Sequence, residues 1–189
     1  MIDKLKLKQL SLAITISGSF VLFWLIFNKG ILSLLEKPLS AIGNIPTNYL
    51  MFFIGSGIVF YFVMLFFIKI YISEKIKVRW ELYILPVLIF LTLIIPYRED
   101  FFIARVLHTA AGVLGALLIV FIMYKINKFY FPQNPIVKKI TRNIPAVTVA
   151  GTLTLFFLTG LSTIMQLFYL FLSLIWINLY AFSKKTKKK

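Results

Sequence analysis

The chain has 189 residues, 60% of them hydrophobic and 14% charged, with 20 Phe and a mean hydropathy of +0.93. A typical soluble domain is about 45–50% apolar and about 25% charged, so an ordinary cytosolic fold is excluded. Cysteine is absent and there is one His, which removes disulfides, thiolate nucleophiles and the Cys or two-His metal sites; no metal and no cofactor is expected.

At about 20 apolar residues per span, this length suits six transmembrane helices and little else. The first apolar run, 10–28, follows Lys4, Lys6 and Lys8. It reads as a span rather than a signal peptide, because a bulky Leu-Ile-Phe run precedes Asn28 where cleavage needs small residues. A loop carrying Glu36, Lys37, Ser40 and Asn44 leads to the second span, 49–72, with Gly55 and Gly57. Ser56 between them superficially resembles an intramembrane peptidase nucleophile. That chemistry requires a His on a later facing helix, and none follows His108.

The third span, 81–96, contains Pro86, which kinks a helix unless neighbours satisfy the freed carbonyl. Pro96-Tyr97-Arg98-Glu99-Asp100 then leads into the fourth, 104–124. Arg105 and His108 lie three apart there and share a face. Ala111, Gly112, Gly115 and Ala116 follow as small-residue pairs that let backbones approach closely in lipid, as does Gly151 in the fifth span. Residues 125–144 read as an extended crossing with Pro132 and Pro135, and Pro145 opens the fifth span, 145–160, at its first turn. The five residues Thr159–Thr163 make an antiparallel hairpin with the sixth span, 163–182, which Gln166 enters. Residues 1–182 are therefore expected to form one all-α domain, a polytopic six-transmembrane-helix bundle, with 183–189 as a basic tail.

Charge orients the bundle. With both termini cytoplasmic, the inner segments hold Lys4, Lys6, Lys8, Lys69, Lys75, Lys77, Arg79, Lys125, Lys128, Lys138, Lys139, Arg142, Lys184, Lys185, Lys187, Lys188 and Lys189. Only Lys29, Lys37, Arg98 and Arg105 remain outside, an asymmetry that fits the positive-inside rule. Trp80 and Trp176 fall at inner ends and Trp24 at an outer end, where amphipathic rings anchor. The net charge of +15 is thus a topology signal, not a nucleic-acid footprint. The same inner cations suit anionic lipid, so the bilayer is the expected partner, with a membrane protein as a further candidate.

The distinctive polar residues gather on the outer side. His108 with Glu99 or Asp100 makes a candidate acid–base group, and Arg105, Ser40, Asn44, Tyr97 and Gln166 are candidate ligand-binding residues. The competing reading makes His108 and Gln166 interhelical hydrogen-bond partners that hold the bundle.

Pro38-Leu39-Ser40-Ala41-Ile42-Gly43-Asn44, the His108-Thr109-Ala110-Ala111 helix start and Gly160-Leu161-Ser162 before Gln166 follow one another along the chain. That order resembles the six-helix prokaryotic membrane family catalogued as domain of unknown function nine-nine-eight. The resemblance implies six helices and a shared outer cluster of Ser40, Gly43, His108 and Ala111, and it implies no reaction. The expected function is a non-enzymatic membrane bundle in a prokaryotic plasma membrane, binding lipid or a membrane partner. A small transporter or channel is one alternative; an enzyme acting on a lipid or isoprenoid headgroup at the outer leaflet is the other.

Overall fold

The computed structural model describes residues 4–29, 38–39, 41, 46–77, 79–98, 100–129 and 134–183. Within these the chain is helical: α1 Lys4–Lys29, α2 Pro46–Ser73, α3 Glu81–Ile94, α4 Phe102–Asn127, α5 Pro135–Thr159 and α6 Thr163–Ser183. Four of them contain segments long and apolar enough to cross a membrane, namely Lys6–Leu25, Asn48–Ser73, Phe102–Asn127 and Thr163–Ser183. α3 has 14 residues, so at 1.5 Å per residue it covers about 21 Å of a core about 30 Å thick. α5 is long enough but carries Lys138, Lys139 and Arg142 in its first turns.

Helix ends follow local chemistry. Asn134 accepts from the amides of Ile136 (2.9 Å) and Val137 (3.4 Å), and Pro135 occupies the first helical position. Both choices suit a helix start, where four N–H groups lack intrahelical partners and proline has none to lose. α5 therefore begins at Pro135, and the expected extended crossing up to Pro145 is corrected: Pro145 lies inside the helix. A proline there leaves the carbonyl four residues back without its donor. That carbonyl belongs to Thr141, and Asn127 Nδ2 of α4 donates to it at 2.9 Å. Gly160, at φ 67°, ends α5 in a conformation that disfavours a side chain.

Each helix packs against its neighbours in sequence, and α6 closes the ring on α1. The starts of α1, α3 and α5 meet the ends of α2, α4 and α6 at one end, the base; the opposite end is the rim. At the base the even helices also meet one another, with the Phe66 and Tyr180 rings edge-on at 6.1 Å. The main core lies there: Leu7, Phe66, Phe67, Tyr71, Ile122, Ile126, Trp176 and Tyr180 are buried together. A smaller cluster around Leu25 and Leu39 sits toward the rim.

Small residues admit close approaches at two seams. A Cβ on Gly55 would fall 2.5 Å from Val21 Cγ2 of α1, and one on Gly151 would fall 2.5 Å from Phe168 Cζ of α6. Gly112 and Gly115 face α3 at ordinary contact distance, with Thr92 and Leu88 at 3.5 and 3.8 Å. Ala111 is buried, and the Ala116 carbonyl accepts from Tyr169 at 3.1 Å. Gly57 has open space and lines an apolar cleft of about 530 Å³ between α2 and α3, with Phe53, Phe60, Pro86 and Phe90.

Large apolar side chains also cover the outside. Phe20, Ile58, Phe90, Leu117, Phe157 and Phe171, one from each helix, are all exposed. A soluble monomer rarely shows continuous apolar surface on this scale.

Candidate functional site

Among the described residues, a dense polar cluster lies at the base, on three helices. Glu81 opens α3, where the helix N-terminus favours a carboxylate, and Lys125 lies in the last turn of α4, where a cation is favoured. Because α3 and α4 run antiparallel, these two ends meet. The Glu81 side chain is 0% exposed, and its Oε1 accepts from Lys125 Nζ and from Tyr71 Oη of α2, the latter at 2.5 Å. Lys125 Nζ also stands 5.4 Å from the Tyr71 ring centroid. Glu81 Oε2 is buried without a hydrogen-bond partner among the described residues.

Removing a carboxylate from water costs several kcal/mol. Pairing with an ammonium and a phenol offsets part of that cost and fixes three helices at one point. A buried ionisable group is a functional candidate on physical grounds, because it is costly to keep out of water. Chemically, this group can hold an ion pair, and the remaining carboxylate oxygen can accept one more donor.

Further polar links surround it. Tyr180 Oη donates to Glu74 at 3.1 Å. Trp176 Nε1 donates to Asn127 Oδ1 at 3.1 Å, which orients the amide that satisfies Thr141. Asn178 joins α6 to α1, accepting from Ser11 at 2.8 Å and donating to Thr15 at 3.1 Å.

At the rim the expected site residues are distributed among separate contacts. His108 is buried, with Nδ1 2.7 Å from the Ile95 carbonyl and its ring edge-on to Tyr97 at 5.7 Å. A carbonyl only accepts, so Nδ1 carries the proton. Asp100 and Arg98 form an exposed two-point pair at 2.7 and 3.1 Å, and this pairing holds the Asp100 carboxyl below its usual range. Arg105 lies over the Phe102 ring at 5.7 Å. Gln166 Oε1 accepts from the Leu39 amide at 2.7 Å, pinning the α1–α2 connection to α6. Among the described residues no hydrogen bond joins His108 to Asp100 or Arg105. Glu99, Ser40, Gly43 and Asn44 lie outside the described residues.

Reading the sequence alone missed Glu81, Tyr71 and Lys125 as a group. A signal was present: Glu81 is the one acid within its apolar run, following Lys75, Lys77 and Arg79. Among the described residues no three His, Asp or Glu side chains gather in a metal-binding arrangement. Comparison with known proteins finds no family model, no curated protein and no solved structure that matches this chain.

Proposed function

We propose that this chain is a six-span integral membrane protein with both termini cytoplasmic, whose work is binding lipid or a membrane partner rather than catalysis. The observation that carries the reading is the apolar outer surface on every helix, with exposed cations concentrated beyond it at the base. Cations on one side of the spans mark the cytoplasmic side. In this reading α3 crosses by being short and upright, and the apolar part of α5 crosses from Pro145 onward. The motif order, which resembles that of the family catalogued as domain of unknown function nine-nine-eight, is in keeping with six spans in a prokaryotic plasma membrane.

One feature of the rim supports binding over catalysis: the imidazole and the acid expected to act together are held in separate contacts. His108 is buried with its Nδ1 proton on a backbone carbonyl, which leaves Nε2 as its basic nitrogen, while Asp100 pairs with Arg98.

The chain has no cysteine, so single cysteines can be placed without background. With Lys77→Cys and Asn134→Cys at the base and Arg98→Cys at the rim, intact cells are treated with a membrane-impermeant maleimide. The rim cysteine should label at once, and the base cysteines only after permeabilisation. The reverse pattern would overturn the orientation, and labelling of both ends in intact cells would overturn the spanning topology.

A further inference from the structure

Acids and bases at the base face opposite ways. Glu74 receives a hydrogen bond from Tyr180, and Glu81 is enclosed by Tyr71 and Lys125. Lys77, Arg79 and Lys128, by contrast, are exposed. Among the described residues near the α3–α4 seam, the outward charge is therefore cationic. Exposed rings accompany these cations. On α4, Phe121, Tyr124, Lys125 and Lys128 have the spacing of one helix face. The Trp80 ring packs on Phe121 at 5.9 Å, and Lys128 Nζ lies 5.0 Å from the Tyr124 centroid. Arg79 Nε donates to the Ile76 carbonyl at 3.0 Å, which holds its guanidinium on the α2–α3 connection just before α3.

We propose that the α3–α4 face of the base, built from Lys77, Arg79, Trp80, Tyr124 and Lys128, docks the headgroup of an anionic phospholipid. This rests on the membrane reading above. Charge complementarity selects the occupant: the cations meet the phosphate, while Trp and Tyr rings sit at headgroup level with their apolar bodies toward the acyl chains. The buried Glu81–Lys125 pair contributes by keeping the nearest carboxylate out of the headgroup's way.

The test uses full-length protein in nanodiscs of phosphatidylcholine with added phosphatidylglycerol, and native mass spectrometry to count retained lipids. Wild type should retain phosphatidylglycerol preferentially. Lys77→Gln/Arg79→Gln/Lys128→Gln should lose that preference, by about five-fold per cation removed. Lys77→Arg/Lys128→Arg should keep it, as should the rim control Lys29→Gln/Arg98→Gln. The proposal is overturned if the triple variant retains the lipid as wild type does, or if the rim control loses it equally. Release of the lipid by millimolar inorganic phosphate would indicate a soluble-anion site instead, and a dimer abolished by the triple variant would indicate a second copy. Maleimide labelling reads orientation separately. Intact orientation with no lipid preference sinks this site alone, whereas reversed labelling with the preference retained sinks the orientation alone.

Discussion

At the base, Tyr71, Glu81 and Lys125 join three helices through their side chains, whereas at the rim His108 and Gln166 each reach a backbone group of an adjoining connection. The largest buried side chains follow the same division, with Trp176, Tyr71, Tyr180, Phe66 and Phe67 all at the base. In lipid, helices gain little from hydrophobic exclusion and associate through packing and hydrogen bonds. The base therefore sets which helices are neighbours, and the rim sets how the turns between them close.

The sharpest way to break this comparison is to remove one partner of the buried pair. Lys125→Met leaves Glu81 enclosed with no cation beside it and the Tyr71 hydroxyl as its remaining side-chain donor, and should cost about 3–5 kcal/mol. Adding Glu81→Met should recover part of it, because the apolar pair carries no desolvation penalty while the buried Tyr71 hydroxyl loses its acceptor. Unfolding in mixed micelles, followed by far-ultraviolet circular dichroism as the denaturing detergent is increased, measures both. If the single variant unfolds where the wild type does, the base is not organised by this pair.

A second change probes the same end through the proline of α5. Asn127→Ala removes the donor to the Thr141 carbonyl and the acceptor of Trp176 Nε1. Each orphaned buried group costs about 1–3 kcal/mol. Pro145→Ala restores a backbone N–H to Thr141, so in the Asn127→Ala background it should regain part of the loss. The same denaturation midpoint reports this, and equal Pro145→Ala effects in both backgrounds would separate Asn127 from the proline.

What the sequence made legible, and what it hid, follows the same physics. Continuous apolar runs mark all six helices, because period and hydropathy are local properties. The sequence puts the α5 start too late, since Pro145 looks like a helix opener when Asn127, the donor to the Thr141 carbonyl that the proline leaves free, is invisible in one dimension. The Asn134-Pro135 pair, an N-cap followed by a first-position proline, was the better local signal. The base cluster was hidden for a related reason. In the sequence Lys125 is one more cation among many near the base, and Glu81 is the first residue of an apolar run. Only the antiparallel packing of α3 on α4 brings them together. At the rim, residues close in sequence suggested one shared site, but neighbouring positions on a turn point different ways, and Asp100 turns to Arg98 while His108 turns to Ile95.

The smallest expected effect comes from that histidine. His108→Ala removes one donor to a carbonyl at the end of α3, and Ile95 is only partly buried. Water can replace a donor there, so the loss should lie at the low end for an orphaned group, about 1 kcal/mol. His108→Asn, which keeps a short donor, should fall between alanine and wild type. Because the contact closes a turn, hydrogen exchange should rise near Ile95 and Tyr97, while the amides of Ile122 and Tyr180 at the base stay protected. A loss as large as that of Lys125→Met, or exchange spreading to the base, would show that the rim also decides which helices pack together.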